Sequence, residues 1–397
     1  MLVSTVELFR RTKNAGKLGL AGIEGARLDW AAVIDRKDGI IESWSKGKKQ
    51  SLEKRNIAVL QGVARFTGPY ELLVGDRRVT AERFVIATGS SPARPPIEGA
   101  ERGITSDEFL SLRSLPSRLV VIGAGVIGME LGFCAAMAGS RVAILQRGPQ
   151  ILPGADGEMR DALLEIGRKA GMEFHAGASP VRIAGDRTVE AVLEGRARSF
   201  PADEVLIATG RPPNTSRLDL QKAGVELDRG GIKVNEFLQS TSAPQIYAAG
   251  DVIGQPQHTP VAWYEGPIAA RNALKGNEQK VDLHLLPTAV FTIPALGQVG
   301  MTESEARSNG LEVAISRSPF SNNPAAGVRE QTEGLVKVVY EKGTGRLLGV
   351  HVLGPHAEDL VQIAAAGMRG GLTREQFGAM HYVFPTLGGA IFDAMAG

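Results

Sequence analysis

The run Leu119-Val-Val-Ile-Gly123-Ala-Gly125-Val-Ile-Gly128-Met-Glu130 constrains this chain more than any other stretch. An apolar strand enters a tight turn and a helix starts at once. Gly123 permits the turn, Gly125 lets a pyrophosphate approach the backbone, and Gly128 lets the helix pack on its strand. The helix N-terminus would then hold phosphates by its free N–H groups and its dipole. This fingerprint lies in the middle of a 397-residue chain, so another folded segment is expected ahead of it. At ~150 residues per domain, the length allows two or three domains, each with its own core.

The segments around the fingerprint read as a βαβ unit. A proline cluster (Pro92, Pro95, Pro96) marks a domain edge. Then come the strand Leu119-Val-Val-Ile, a helix closing near Gly139, a strand over 141–145, and a helix over 157–170. Upstream, residues 1 to about 60 read as helix, loop, helix, with 35–55 polar enough for a solvated helix. Short strands follow at 57–60, 70–74 and 84–87, with Gly75-Asp76 as a hairpin turn. An internal repeat joins the two regions: Phe84-Val-Ile-Ala-Thr88-Gly89 and Val205-Leu-Ile-Ala-Thr209-Gly210 are nearly the same text, as two related nucleotide-binding domains would give. Ile246-Tyr-Ala-Ala-Gly250-Asp251 is a buried strand ending in Gly-Asp, followed by a helix over 262–274 that returns to the first domain. From Thr288 the pattern turns to antiparallel strands (335–340, 348–353) among helices at 303–308 and 358–366, an α+β domain suited to pairing subunits.

Composition excludes several classes. The 45 basic and 43 acidic residues are mixed along the chain, without the basic stripe of a nucleic-acid binder. No stretch of about 18 apolar residues offers a membrane span. The basic start reads as a turn of helix rather than a transit peptide, which points to a cytoplasmic, bacterial-type enzyme. The single cysteine, Cys134, allows neither an intrachain disulfide nor a thiolate metal cluster, and no metal site is read. Set among Leu131, Phe133 and Ala135, it reads as a small buried apolar residue. At the end of the second strand, where an NAD site usually carries an acid, stand Gln146-Arg147. The Arg147 guanidinium favours the 2′-phosphate of NADP, with NAD as the alternative.

Taken in order, the Ala87-Thr88-Gly89 end, the Gly123 loop with Glu130, Ala208-Thr209-Gly210-Arg211, Tyr247 to Asp251, Val299-Gly300-Met-Thr302-Glu303 and Pro385-Thr386 resemble the pyridine nucleotide-disulfide oxidoreductase family over nearly the whole chain. Dihydrolipoamide dehydrogenase, glutathione reductase and mercuric reductase belong to it. The resemblance implies an α/β fold of two Rossmann-like domains, an FAD-type domain (1–113 and 236–283) with an NAD(P)-type domain (114–235) inserted, and a C-terminal α+β dimerisation domain (284–397). It also implies a homodimer. Asp251 would hydrogen-bond the ribityl chain of FAD, with Gly250 allowing close approach. Thr88 and Gly89 would line the FAD side, and Thr209 and Gly210 the nicotinamide side. The partners implied are a nicotinamide cofactor and a small-molecule electron acceptor.

The chain departs from that pattern in two places. A glycine-rich FAD loop and a Cys-x4-Cys pair would open the family sequence. Here Met1 to Phe9 resembles the helix just after them, so an N-terminally truncated sequence is expected. The family's C-terminal His-Pro-Thr…Glu signature reads Phe384-Pro385-Thr386-Leu-Gly-Gly389, and His381 lies off register. No terminal cysteine pair is present for mercury. No catalytic residue is therefore assigned. The leading reading is an FAD-dependent NAD(P)H oxidoreductase with an unidentified acceptor. A non-catalytic, NADP-binding dimeric remnant and a split enzyme completed by a second chain stand beside it.

Overall fold

The computed structural model describes residues 1–254 and 256–397. Helices α1 (Leu2–Asn14) and α2 (Trp30–Lys54) come first, then strands β1 (Ala64–Gly68), β2 (Glu71–Val74), β3 (Arg77–Thr80) and β4 (Phe84–Ile86). Strand β5 (Arg118–Ile122), helix α3 (Val126–Ala138), strand β6 (Arg141–Gln146), helix α4 (Gly157–Lys169) and strand β7 (Glu173–Ala176) follow. Strands β8 (Ser179–Ile183), β9 (Val189–Leu193) and β10 (Arg196–Phe200) precede β11 (Glu204–Ile207). Strand β12 (Ile246–Ala248) leads to α5 (Thr259–Lys275). The last part holds β13 (Thr288–Val290), β14 (Ala295–Gly300), α6 (Glu303–Ser308), β15 (Val313–Pro319), β16 (Leu335–Glu341), β17 (Leu347–Gly354) and α7 (Ala357–Arg369). Two compact units arise from interleaved segments: Met1–Gly39 with Arg94–Thr209 and His284–Gly397, and Ile40–Ala93 with Gly210–Leu283.

In the first unit a parallel sheet runs in the order β11-β5-β6-β7. Strands β5 and β11 carry the buried apolar runs Leu119–Ile122 and Val205–Ile207, as in a sheet covered on both faces. Helix α3 is apolar apart from Glu130, and it buries Met129, Phe133, Cys134 and Ala135 while its remaining apolar side chains are partly buried. Leu2 and Val6, one helical turn apart on α1, join the same cluster. Each such side chain contributes ~1.5–3 kcal/mol of burial. The C-terminal part of this unit is a five-stranded sheet in the order β13-β14-β17-β16-β15. Helix α7 crosses it at Gly297, where an added Cβ would stand 2.5 Å from the Ala357 carbonyl oxygen.

The second unit holds the meander β1-β2-β3 and the parallel pair β4-β12, in register Phe84 to Ile246 and Ile86 to Ala248. The expected hairpin turn falls at Gly75-Asp76, between β2 and β3. The strand expected at 57–60 does not form. Ile57, Val59 and Leu60 are exposed and pair with no strand among the described residues. Propensity for β structure needs a neighbour to pack and bond against, and this segment has none. Helix α2 buries Trp30, Val33 and Ile34 near its start, while residues 41–54 lie exposed as the polar pattern suggested.

Candidate functional site

The three glycines of the fingerprint differ in what surrounds them. A Cβ on Gly123, which has φ +107°, would meet the Ala208 carbonyl oxygen at 2.3 Å, and one on Gly128 would meet the Gly123 carbonyl oxygen at 1.9 Å. Packing requires both. A Cβ on Gly125 would meet nothing within 4 Å, so that glycine faces open space at the start of α3. Among the described residues no side chain caps α3, and the N–H groups of its first turn are left for another acceptor. The sheet order reverses at β5, so the loop sits at the point where α/β sheets bind their ligands. Thr209 lies beside the loop, its backbone nitrogen 3.3 Å from where a Gly123 Cβ would be.

At the end of β6, the Gln146 side-chain oxygen accepts from the Ala124 N–H at 3.1 Å, which ties strand end to glycine loop. Arg147 next to it is exposed and makes no ion pair among the described residues. Glu130 lies further along α3, where its carboxylate accepts from the Phe291 N–H at 2.9 Å and burial pushes its pKa up.

In the second unit, two loop ends are laced together. The Thr88 hydroxyl donates to the Asn214 carbonyl and the Asn214 amide donates to the Thr88 carbonyl, each at 2.9 Å. The Asn214 N–H reaches Gly89 O at 2.8 Å, and the Ala93 N–H reaches Gly210 O at 3.0 Å. Gly89, Gly210 and Gly250 all have positive φ (+68°, +119° and +75°), the left-handed region that favours glycine. The Gly250 N–H donates to the carboxyl of Glu265 on α5 at 2.8 Å. Asp251, half-buried at the end of this turn, accepts from the Ser90 hydroxyl at 2.6 Å, and Arg211 Nε donates to that same hydroxyl at 3.0 Å. Burial pushes the Glu265 pKa up, and the charge of Asp251 adds to the effect. Sequence reasoning gave no role to Ser90 or Glu265, and it named Arg211 only as the end of a family block. A signal for two of them was present, because Ser90 and Arg211 each follow a copy of the repeated Ala-Thr-Gly.

Cys134 is buried as expected, and burial pushes its thiol up to about 12, so it stays protonated and chemically quiet. Phe384 and His381 are both exposed.

Residues 10–266 match the profile described as pyridine nucleotide-disulphide oxidoreductase, and residues 286–395 match the dimerisation domain of that name. The chain belongs to this family. Among pyridine nucleotide-disulphide oxidoreductases, a mercuric reductase from Bacillus cereus is 35% identical over 379 residues, which cover 94% of this chain and 60% of that protein. A dihydrolipoyl dehydrogenase from Thermus scotoductus is 36% identical over 405 residues, covering 99% of this chain and 86% of the relative. The solved structure of the HOCl-induced flavoprotein disulfide reductase RclA from Escherichia coli superposes with a TM-score of 0.86 at 28% identity, covering 98% of this chain and 89% of that one. The fold is thus that of the family, nucleotide-binding α/β domains followed by a dimerisation domain. No helix among the described residues is long and apolar enough to cross a membrane.

Proposed function

We propose that this chain is an FAD-dependent NAD(P)H oxidoreductase, built as a cytoplasmic homodimer with domains near 1–113 plus 236–283, 114–235 and 284–397. The observation that carries the reading is the Gly125 opening at the uncapped start of α3, over the reversal point of the parallel sheet. Such a start offers a pyrophosphate unspent N–H groups and no side chain to displace. Gly123, Gly125 and Gly128 would shape that site, with Thr209 beside the loop. Arg147, exposed at the strand end and with no ion pair among the described residues, would take the 2′-phosphate of NADP through charge-assisted bonds. Gln146 gives one lone pair to Ala124 and is neutral, so it lacks the charge of the acid an NAD site uses on the ribose.

Residues of the second unit fit the polyol side of an FAD. Asp251 has one oxygen engaged by Ser90, and a carboxylate accepts about four bonds, so capacity remains for ribityl hydroxyls. Gly250 keeps the turn close, while Thr88 and Gly89 border the same loop ends; none of the described residues lies within 4 Å of a Cβ built on Gly89. When bound, FAD supplies a two-electron acceptor for the nicotinamide hydride and a donor to the second substrate. The chain's own sulfur offers no dithiol for that second transfer, since Cys134 is its single cysteine and is buried. The acceptor stays unidentified, and quinones, dyes and oxygen are the classes to test beside a disulfide.

The test is the visible spectrum of the purified chain incubated with FAD, before and after anaerobic NADPH. Retained flavin colour that bleaches supports the oxidoreductase reading. A colourless protein that still binds NADPH supports the alternative, an NADP-binding, non-catalytic or fragmentary member of the family.

A further inference from the structure

Asp251 is held by a relay, and the residues of the relay come from two distant parts of the chain. The hydroxyl of Ser90 has a single proton, which it donates to Asp251 Oδ2 at 2.6 Å. Its lone pairs face Arg211, whose Nε donates to the hydroxyl at 3.0 Å and whose Nη2 donates to the Ser90 carbonyl at 2.9 Å. The guanidinium therefore grips Ser90 from backbone and side chain together, which leaves the Ser90 proton directed at Asp251. Gln257 holds the Arg211 carbonyl at 2.8 Å, and Ser91 N–H reaches Pro212 O at 3.2 Å, so the two loops that carry Ser90 and Arg211 are fixed to each other.

We propose that Ser90 and Arg211 are positioning residues for Asp251, orienting its carboxylate to receive the ribityl hydroxyls of FAD. The proposal rests on the reading of Asp251 as an FAD contact. Its physical basis is preorganisation: a carboxylate already locked in one rotamer spends no ordering entropy when the hydroxyls arrive. Repetition explains the placement. Each Ala-Thr-Gly strand end is followed by the residue that completes the relay, Ser90 after the first and Arg211 after the second.

The experiment measures the FAD dissociation constant of the full chain by flavin fluorescence quenching, together with the absorbance spectrum of the bound flavin and the unfolding midpoint of the ligand-free protein. The variants are S90A, S90T, R211M, R211K and D251N. S90A and R211M are expected to weaken FAD about tenfold, the scale of one hydrogen bond to a charged group, and to shift the spectrum of the bound flavin at an unchanged ligand-free midpoint. S90T, which keeps the hydroxyl, is expected to restore affinity, and R211K to restore it in part. If D251N loses affinity while S90A and R211M bind as the wild type does, the positioning proposal is overturned and the Asp251 reading survives. If the wild type takes up no FAD, or D251N binds it as tightly as the wild type, the underlying reading fails and the proposal with it. An S90A variant whose ligand-free midpoint collapses without rescue by S90T overturns the proposal in favour of a structural role.

Discussion

Gly125 and Gly128 stand three residues apart and serve different ends, which makes them separable by substitution. G128A drives a methyl group into a backbone carbonyl and is expected to cost about 1–3 kcal/mol in urea unfolding. G125A adds its methyl to open space at φ −78°, so stability should move by less than about 0.5 kcal/mol while NADPH affinity falls. Equal loss of stability in both would contradict this division. Arg147 offers a second residue-scale test: R147A should weaken NADPH more than NADH in competitive titration. Glu265 carries a pH signature. Its folded pKa lies above the unfolded value of about 4.3, so the folded state keeps a proton the unfolded state releases. Stability on that account falls as pH rises from about 4.3 through the folded value and is level above it. E265Q keeps an acceptor for Gly250 and has no proton to lose. Between pH 4 and pH 8 the wild type is expected to lose stability relative to E265Q.

Among elements, the first unit is pinned by a buried charge network. Lys337 on β16 is almost inaccessible, and its Nζ bonds Asp156 at 2.9 and 3.1 Å, Glu303 at 2.9 Å and Glu158 at 3.3 Å. Asp156 caps α4 through the Glu158 N–H and also accepts from the Glu303 N–H at the start of α6. Two helix starts and one strand thus share a carboxylate. Burial alone would push the Asp156 pKa up, but Lys337, His351 and the Glu303 N–H together hold it below the usual range. K337M leaves that charge buried without its partner and should cost about 3–5 kcal/mol, whereas D156N/K337M should recover part of the loss in a double-mutant cycle. Additive single losses would sink the claim of coupling. His351, opposite Lys337 on β17, donates from Nε2 to Met301 O at 3.1 Å, and burial holds its pKa below the ordinary value. The unfolded state then takes up the proton first as pH falls through about 6.5, so stability drops from there down to the folded pKa. H351Q is expected to flatten that limb of the curve.

At the scale of the molecule, the family match to a dimerisation domain over residues 286–395 gives a solution expectation: light scattering of the purified chain should return twice the chain mass. A monomer at micromolar concentration would count against it. Much of this architecture was legible beforehand. The glycine loop, α3 closing at Gly139, α4, the 84–86 and 246–248 strands and the change to antiparallel structure after 288 all carry local signals, in glycine spacing, capping and apolar period. The strand misread at 57–60 had the right residues and no neighbour.

The sequence by itself determined the family, the order of its nucleotide-binding and dimerisation segments, and the loop at Gly123 to Gly128. Those depend on residues close together in the chain, where backbone geometry and periodicity leave a mark on the text. Tertiary structure alone decided that Ser90 and Arg211 converge on Asp251, that Glu265 holds the Gly250 turn, and that Lys337 gathers three carboxylates. Apart from Glu265 and Gly250, which are linked across one turn and helix, those pairings span tens to well over a hundred residues. The repeated Ala-Thr-Gly marks the positions of Ser90 and Arg211 but not their partners, because hydrogen bonds and buried charges are satisfied in space by whichever partner the fold delivers.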